Sequence, residues 1–269
     1  MRNARPWARA LRAGFGMFLV HFAAQSQCLE CHGDKNLTKT NATGAVQSLF
    51  VDEAALRASL HGTNLCTTCH VDITAEHPED QVHPKPAVCG ECHPSATRSH
   101  AGSVHGESGG AGAGTVASCA DCHGSHSILA ATAPDSTLHF TRVAQTCGEC
   151  HPDAAKELEA SVHGQALARG HREAPTCTDC HGGHQTPGLK EVSGARLALE
   201  VCGKCHASER MNTRFRLPRD RVATFFASYH GLASRFGNVR VAHCGSCHGY
   251  HLVLPSTDPR SSVHPDRLA

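Results

Sequence analysis

Eight copies of one short cysteine motif constrain this chain more than any other feature of its sequence. Each copy reads C-x-x-C-H, and together the copies use all 16 cysteines. They are Cys28-Cys31-His32, Cys66-Cys69-His70, Cys89-Cys92-His93, Cys119-Cys122-His123, Cys147-Cys150-His151, Cys177-Cys180-His181, Cys202-Cys205-His206 and Cys244-Cys247-His248. With no spare cysteine and no broken copy, the fold must be organised around whatever these motifs bind.

The spacing predicts covalently attached haem. Two thiols three positions apart can form thioethers to the two vinyl groups of one haem, and the next residue places an imidazole under the iron. A structural zinc site is the first alternative, but it needs four ligands from paired knuckles and no histidine after every second cysteine. A disulfide scaffold is the second, and it leaves the eight following histidines unexplained. We therefore expect eight haem c groups.

The motifs resemble those of the multihaem c-type cytochromes, over nearly the whole chain from Cys28 to His251. Three of them continue as C-x-x-C-H-G-x-H, which is most similar to class III type cytochromes and periplasmic decahaem electron carriers. The resemblance implies a mostly α fold with extensive irregular loops, wrapped around a chain of haems.

A second motif, S-x-H-G, indicates a fourfold repeat. It occurs at Ser59, Ser103, Ser161 and Ser228, each time between two C-x-x-C-H motifs. We therefore divide the chain into four two-haem repeats and predict one array of stacked units. The divisions are residues 1–26 (a leader), 27–88, 89–146, 147–201 and 202–269.

Helix signals precede the S-x-H-G histidines. Asp52, Pro152-Asp153 and Asp220 each begin a run of good helix formers that ends at the motif. The sequence thus predicts short helices that present His61, His163 and His230 at their C-terminal ends, near the negative end of the helix dipole, with His105 on a poorer helix. A glycine lies seven positions after the S-x-H-G histidine in the second, third and fourth repeats. These glycines are predicted to end a helical turn in the left-handed conformation: Gly112, Gly170 and Gly237.

The remaining ligands are histidines that follow the second motif of each repeat. His126, His184 and His251 come three positions after their motif histidines, too close to reach the other face of the same haem, so each is expected to ligate a neighbouring haem. In the first repeat His77 is the candidate and His83 the runner-up. The predicted distal ligands are therefore His61, His77, His105, His126, His163, His184, His230 and His251, which supplies two imidazoles for each of eight irons. The others are surface or propionate-contacting histidines: His21, His83, His100, His139, His171, His243 and His264.

Two imidazoles per iron leave no open position for a substrate, which favours an electron carrier over an enzyme. Multihaem nitrite reductases use a C-x-x-C-K motif that is absent here. Two alternatives stay open: a subunit of an extracellular cytochrome filament or outer-membrane conduit, and a multihaem reductase with one open haem.

The N-terminus has the pattern of a secretory signal. Four arginines precede an apolar run over residues 13–22, and Ala24-Gln25-Ser26 is a passable cleavage site. We expect a periplasmic or otherwise exported protein. An uncleaved membrane anchor is the alternative, and an extracellular location is also open.

Charge and composition limit the partners and the core. Without the four leader arginines, 21 basic residues face 24 acidic ones, a balance of about −3, and each haem adds a pair of propionates. This disfavours nucleic acid and favours redox proteins as partners: a membrane quinol-oxidising cytochrome, a terminal reductase or an outer-membrane cytochrome. Arginines 210, 214, 216, 219 and 221 are expected to pair with propionates, or else to dock an acidic partner. Since aromatic residues make up only 4% of the chain, the porphyrins are expected to serve as its hydrophobic core.

Overall fold

The computed structural model describes residues 27–41, 43–80, 82, 84–106, 116–188 and 196–268. The predicted leader and its cleavage site, His21, His83 and Gly112 lie outside the described residues. Within the described part of the chain, no helix is both long enough and apolar enough to cross a bilayer.

Short helices joined by irregular loops make up the described chain, which confirms the predicted mostly α character. The α-helices span residues 27–32, Glu53–Ala58, Cys66–Cys69, Pro94–Ala101, Cys119–His123, Val143–Gly148, Pro152–Ala160, Val162–Ala168, Cys177–His181, Gly203–His206, Glu209–Phe215, Arg221–Ala227, Tyr229–Arg235 and Cys244–His248. A π-helix covers Leu197–Cys202, and 3-10 helices cover Cys89–Glu91 and Pro265–Arg267.

One small hairpin was not anticipated from the sequence. Strands Thr38–Thr40 and Val46–Ser48 pair antiparallel, with Lys39 opposite Gln47. The turn is fixed by the Asn41 side chain, whose Oδ1 accepts hydrogen bonds from two backbone N–H groups of the loop.

The fold divides into two compact units. One combines Met1–Pro94 with His123–Ala130, and the other combines Ser95–Cys122 with Ala131–Ala269. The first contains the hairpin, and the second contains most of the helices. The four two-haem repeats remain a sequence prediction, since these units follow different boundaries.

Protein side chains alone supply little hydrophobic core. Among the described residues, the buried apolar side chains are Val143, Leu167, Ala174 and Leu254, all in the second unit. The largest fully buried side chains are Asn212, Ser103 and Ser161, which are polar. A chain of this size normally stabilises itself by burying many large apolar groups. The apolar surface that holds this fold together must therefore come largely from another source.

Helix termini follow the sequence signals closely. Asp52 caps the helix Glu53–Ala58, and its Oδ1 accepts from the Ala55 N–H at 3.0 Å. Gly170 and Gly237 have φ of 82° and 85° and follow the ends of helices Val162–Ala168 and Tyr229–Arg235. Each donates its N–H to the carbonyl three residues earlier, and the next residue donates to the carbonyl five residues earlier, which is a Schellman ending. The predicted left-handed glycines are thus confirmed at these two positions.

The predicted position of the S-x-H-G histidines at helix C-terminal ends is wrong for two of them. The helix Pro152–Ala160 ends at Ser161, which is extended (φ −77°, ψ 166°) and caps a new helix, Val162–Ala168. Ser161 Oγ donates to the Leu158 carbonyl and accepts from the Gly164 N–H, so one hydroxyl satisfies both helix ends. Ser228 makes the equivalent pair of bonds. His163 and His230 therefore lie in the first turn of the second helix, at the N-terminal, positive end of that helix's dipole.

The glycine of the motif is required by this corner. A Cβ on Gly164 would overlap the carbonyl oxygen of Leu158, and one on Gly231 would overlap that of Phe225. Gly106 meets the His100 carbonyl in the same way. Only a residue without a side chain lets the second helix approach the first so closely.

We predict that Gly164→Ala destabilises the holoprotein by about 1–3 kcal/mol, because the added methyl group must push two helices apart. Denaturant unfolding followed by circular dichroism would measure this. Gly183→Ala is the matched control, since its Cβ would meet no atom within 4 Å. Equal unfolding midpoints for the two variants would contradict the steric explanation.

Candidate functional site

The motif cysteines lie mostly on short helical segments. Seven of the eight C-x-x-C pairs lie on or against an α-helix, and Cys89 begins a 3-10 turn. Residues three apart on a helix share one face, so both thiols of a motif point the same way. All 16 cysteines lie in the described part of the chain, and no disulfide bond joins any of them.

Twelve of the predicted ligand histidines meet in six facing pairs. Every facing pair combines one motif histidine with one histidine from outside the motifs. The ring centroids are separated by 6.5 Å for His32 and His77, 6.0 Å for His61 and His93, 6.2 Å for His70 and His126, 6.1 Å for His105 and His151, 6.2 Å for His163 and His206, and 6.0 Å for His181 and His251.

This separation is the one that two axial imidazoles on a single ion require. A metal–nitrogen distance of about 2.0 Å, with about 1.1 Å more from nitrogen to ring centre, puts two opposed ring centroids about 6.2 Å apart. Directly stacked or hydrogen-bonded rings would be closer. Among the described residues there is also no cluster of three or more His, Cys, Asp or Glu side chains suited to a metal ion. Two opposed imidazoles therefore suit a metal whose other ligands come from a planar cofactor, and they do not suit the four-ligand zinc alternative.

Five of the six facing pairs connect consecutive sequence repeats, and His32 and His77 both belong to the first. The S-x-H-G histidines His61, His105 and His163 each face the first motif of the following repeat. His126 and His251 face the second motif of the preceding repeat. The sequence had indicated a neighbouring haem for the trailing histidines, which are those that follow the second motif of a repeat. It gave no signal that the S-x-H-G histidines also contact another repeat. The assignment of all 16 histidines as iron ligands stays a prediction.

A recurrent backbone hydrogen bond positions the S-x-H-G corner. The residue after the serine donates its N–H to a carbonyl two residues beyond a trailing histidine of the next repeat. The bonds are Leu60 to Ile128 at 2.8 Å, Val104 to Thr186 at 3.1 Å and Val162 to Val253 at 2.9 Å. Each one fixes a corner against the segment that carries the next trailing histidine. We call these three bonds the inter-repeat bonds.

Burial keeps several of the paired imidazoles neutral. Desolvation lowers the pKa of His126, His163, His181 and His206, and the facing or neighbouring imidazoles lower it further. A neutral imidazole has the free nitrogen lone pair that a metal needs. His32 is oriented as well: its Nδ1 lies 2.8 Å from the Leu49 carbonyl, which fixes Nδ1 as the protonated nitrogen and leaves Nε2 to act as a ligand.

Carboxylates lie behind two of the distal imidazoles. His77 Nδ1 is 3.8 Å from Asp80 Oδ1, and His251 Nδ1 is 3.7 Å from Glu157 Oε2. Thr74 donates a hydrogen bond to Asp80, and this bond is the main cause of the lowered pKa of Asp80. Asp80 therefore stays ionised. At these distances the carboxylates accept no hydrogen bond from the imidazoles and act on them through their charge alone.

The first cysteines of the two motifs in a repeat lie side by side. Burial raises the pKa of Cys66 to about 11, with a further contribution from the adjacent Cys28. A hydrogen bond from Cys147 lowers the pKa of Cys177 to about 7, and one from Cys202 does the same for Cys244. The first, third and fourth repeats therefore bring their two attachment sites together at one edge.

A pair of hydroxyl groups near two motifs was missed from the sequence. Thr137 Oγ1 donates to the Cys122 carbonyl at 2.7 Å, and Ser262 Oγ donates to the Cys247 carbonyl. Both hydroxyls come 15 residues after the cysteine. The signal was the pattern Ser-Ser/Thr-apolar-His, which places His139 and His264 at equivalent positions.

The arginine-rich run makes two ion pairs with carboxylates. Arg214 lies 3.2 Å from Glu173, and Arg219 lies 3.5 Å from Glu209. Both guanidiniums are more than half exposed, so these pairs contribute little to stability.

Comparison with known proteins identifies one family. A protein-family profile described as Cytochrome c3 matches residues 111–207, about a third of the chain. The matched segment contains the motifs that begin at Cys119, Cys147, Cys177 and Cys202. Cytochrome c3 is a family of multihaem cytochromes with covalently bound haem c, so the match supports a multihaem electron-transfer cytochrome. No curated protein and no solved structure gives a match.

We predict that Val162→Pro removes one inter-repeat bond without breaking the helix, because proline is tolerated at the first helical position and Ser161 is already extended. Relative to Val162→Ala, it should lower the free energy of unfolding by about 1–2 kcal/mol, the cost of an unpaired carbonyl. Denaturant unfolding measures the difference.

Tyr229 provides the matched control for this prediction. It occupies the same position of the last repeat, and its N–H donates no hydrogen bond in the described part of the chain. Tyr229→Pro should therefore differ little from Tyr229→Ala. An equal proline penalty at both positions would show that the helix start, and not the inter-repeat bond, is responsible.

Proposed function

We propose that this protein is an exported octahaem c-type cytochrome that carries electrons through bis-histidine haems between redox partners. The observation that carries the proposal is the set of six facing pairs, each with a centroid separation of 6.0–6.5 Å and each next to a C-x-x-C motif. Neither a zinc site nor a disulfide scaffold accounts for both the separation and the adjacent thiols.

The residues divide into attachment and ligation. The 16 motif cysteines attach the cofactor, the eight motif histidines bind one axial face, and the eight distal histidines bind the other. Haem supplies a one-electron change at iron, and its axial ligands and surroundings set the potential. The neutral, oriented imidazoles hold both faces in either oxidation state, so little rearrangement accompanies electron transfer.

Axial saturation favours a carrier over an enzyme. With two imidazoles at each iron, no position remains for a substrate. The adjoining first cysteines in three repeats support short distances between the two haems of one repeat, as transfer along a chain requires.

Location and partners belong to the same proposal. The leader pattern and the need to attach haem c after export favour the periplasm, within anaerobic or metal and anion respiration. The acidic balance expected with the propionates favours other redox proteins: a membrane quinol-oxidising cytochrome as donor, and a terminal reductase or outer-membrane cytochrome as acceptor.

Haem content and spin state test the proposal. Protein matured with intact cytochrome c machinery should contain about eight c-type haems per chain by pyridine haemochrome assay. It should be low-spin, and the reduced form should not bind carbon monoxide. A colourless folded protein would reject haem altogether. One carbon monoxide site per chain would favour the reductase alternative, and polymers in electron micrographs would favour the filament.

We predict that Glu157→Gln raises the reduction potential of one haem by a few tens of millivolts, because the carboxylate beside His251 favours ferric iron. The shift should be smaller than about 59 mV, which corresponds to a tenfold change in a one-electron equilibrium constant. Screening limits the size, since the carboxylate is half exposed. Potentiometric titration would compare it with Glu159→Gln, which removes the same charge from the same helix. Equal shifts in both variants would indicate a general charge effect.

A further inference from the structure

One helix of the fourth repeat presents an apolar stripe to solvent. Tyr229, Leu232 and Phe236 are 75%, 45% and 89% exposed. At about 100° per residue, these three positions fall within about 60° of one another around the helix. Gly231 and Ser234 are buried and lie on the opposite side of the same helix. We call Tyr229, Leu232 and Phe236 the apolar stripe.

The apolar stripe lies away from the side on which this helix is proposed to bind haem. His230 projects about 100–160° away from the three stripe residues around the helix. Tyr229 is the nearest of them, and its ring meets the His230 ring edge-on at 5.8 Å. Leu232 and Phe236 therefore stay on the outer surface when a cofactor occupies the histidine side.

The third repeat shows that the corner does not need apolar residues at these positions. Its helix after the serine corner has the same buried and exposed sides. The positions of Leu232 and Phe236 are taken there by Gln165 and Arg169, which are exposed. Exposing large apolar side chains to water is unfavourable, and a contiguous set of them marks a binding surface. The stripe is thus an addition that is specific to the fourth repeat.

Tyr229 also provides a backbone hydrogen-bond donor at the start of the stripe. The equivalent residue of each earlier repeat donates an inter-repeat bond, such as Val162 to Val253 at 2.9 Å. Within the described part of the chain, the Tyr229 N–H has no acceptor. A bound partner can supply that acceptor from its own backbone.

The segment that contains the stripe is rich in arginine. Residues 209–240 contain seven arginines and two acidic residues, whereas the equivalent residues 142–173 contain four basic and five acidic residues. All seven arginines are exposed, and five of them make no ion pair with a described residue. Two of these five, Arg235 and Arg240, come directly before and four positions after Phe236. Aromatic side chains beside arginines are typical of protein interfaces, and the positive charge selects an acidic partner.

We propose that the apolar stripe, with Arg235 and Arg240 beside it, is the surface on which an acidic redox protein docks. The inference rests on the proposed function and adds the place at which electrons pass between this chain and its partner. Because His230 lies on the same helix, a haem that it binds is separated from the partner by about one helix diameter, 10 Å. Each encounter moves one electron from a ferrous haem to the partner's centre, and no proton or group is exchanged.

Electron transfer to oxidised plant plastocyanin tests the docking surface. This acidic blue-copper protein accepts one electron, and the loss of its blue absorption follows the reduction of Cu(II) to Cu(I). In the reduced holoprotein, Leu232→Ser with Phe236→Ser should lower the second-order rate constant at low ionic strength by on the order of tenfold. Arg235→Ala with Arg240→Ala should lower it about threefold and weaken its fall with added salt.

Two controls distinguish lost docking from damage at the haems. Ferricyanide is too small to need a docking surface, so the stripe variant should keep the parent's rate of oxidation by ferricyanide. Gln165→Ser with Arg169→Ser makes the matched change on the helix of the third repeat. This control variant should leave the plastocyanin rate unchanged.

The remaining outcomes overturn either the docking surface or the proposed function. An unchanged plastocyanin rate in the stripe variant, or an equal loss in the third-repeat variant, would overturn the docking surface while the haem content still supported the proposed function. Self-association of the parent in sedimentation that the stripe variant loses would also overturn it, since the stripe would then bind a second copy. A parent protein without about eight haems per chain would reject the proposed function itself.

Discussion

The structure depends on holding two imidazoles on opposite sides of a gap of fixed width. At about 6.2 Å between ring centres the rings do not touch, so they offer each other no packing energy. The gap must be maintained by the backbone on both sides. The short helices, the serine corners and the inter-repeat bonds can all be understood as means of fixing that distance.

The S-x-H-G corner shows how four residues meet this requirement. The serine ends one helix and begins the next, and its buried hydroxyl replaces the water that would otherwise satisfy both ends. The following residue donates the inter-repeat bond, and the histidine then projects from the first helical turn. The glycine lets the two helices meet without a collision. The serine and the glycine cannot be replaced without loss of one of these contacts, whereas the second position contributes only its backbone N–H and varies in side chain.

The features that could be predicted from the sequence are those that depend on a few neighbouring residues. The spacing within C-x-x-C-H, the cap at Asp52 and the left-handed glycines at Gly170 and Gly237 each depend on a few adjacent residues. The pairing of His163 with His206 could not be predicted, because it depends on how one repeat docks on the next. The error over helix ends has a related cause: Ser161 is a moderate helix former, and only its double hydrogen bond shows that the chain turns there. The hairpin at residues 38–48 was missed because its strands are short and polar.

The pairing of histidines from consecutive repeats also links cofactor attachment to folding. In the proposed function, a site such as His105 with His151 binds one haem with ligands from two repeats, so each haem stabilises the docking of those repeats as well as its own pocket. Loss of one such haem would then loosen the docking of two repeats. Since the side chains bury so little apolar surface, the porphyrins must supply most of the hydrophobic stabilisation. The order in which the repeats become stable is therefore set by the order in which both ligands of a haem are in place, and not by the intrinsic stability of any helix.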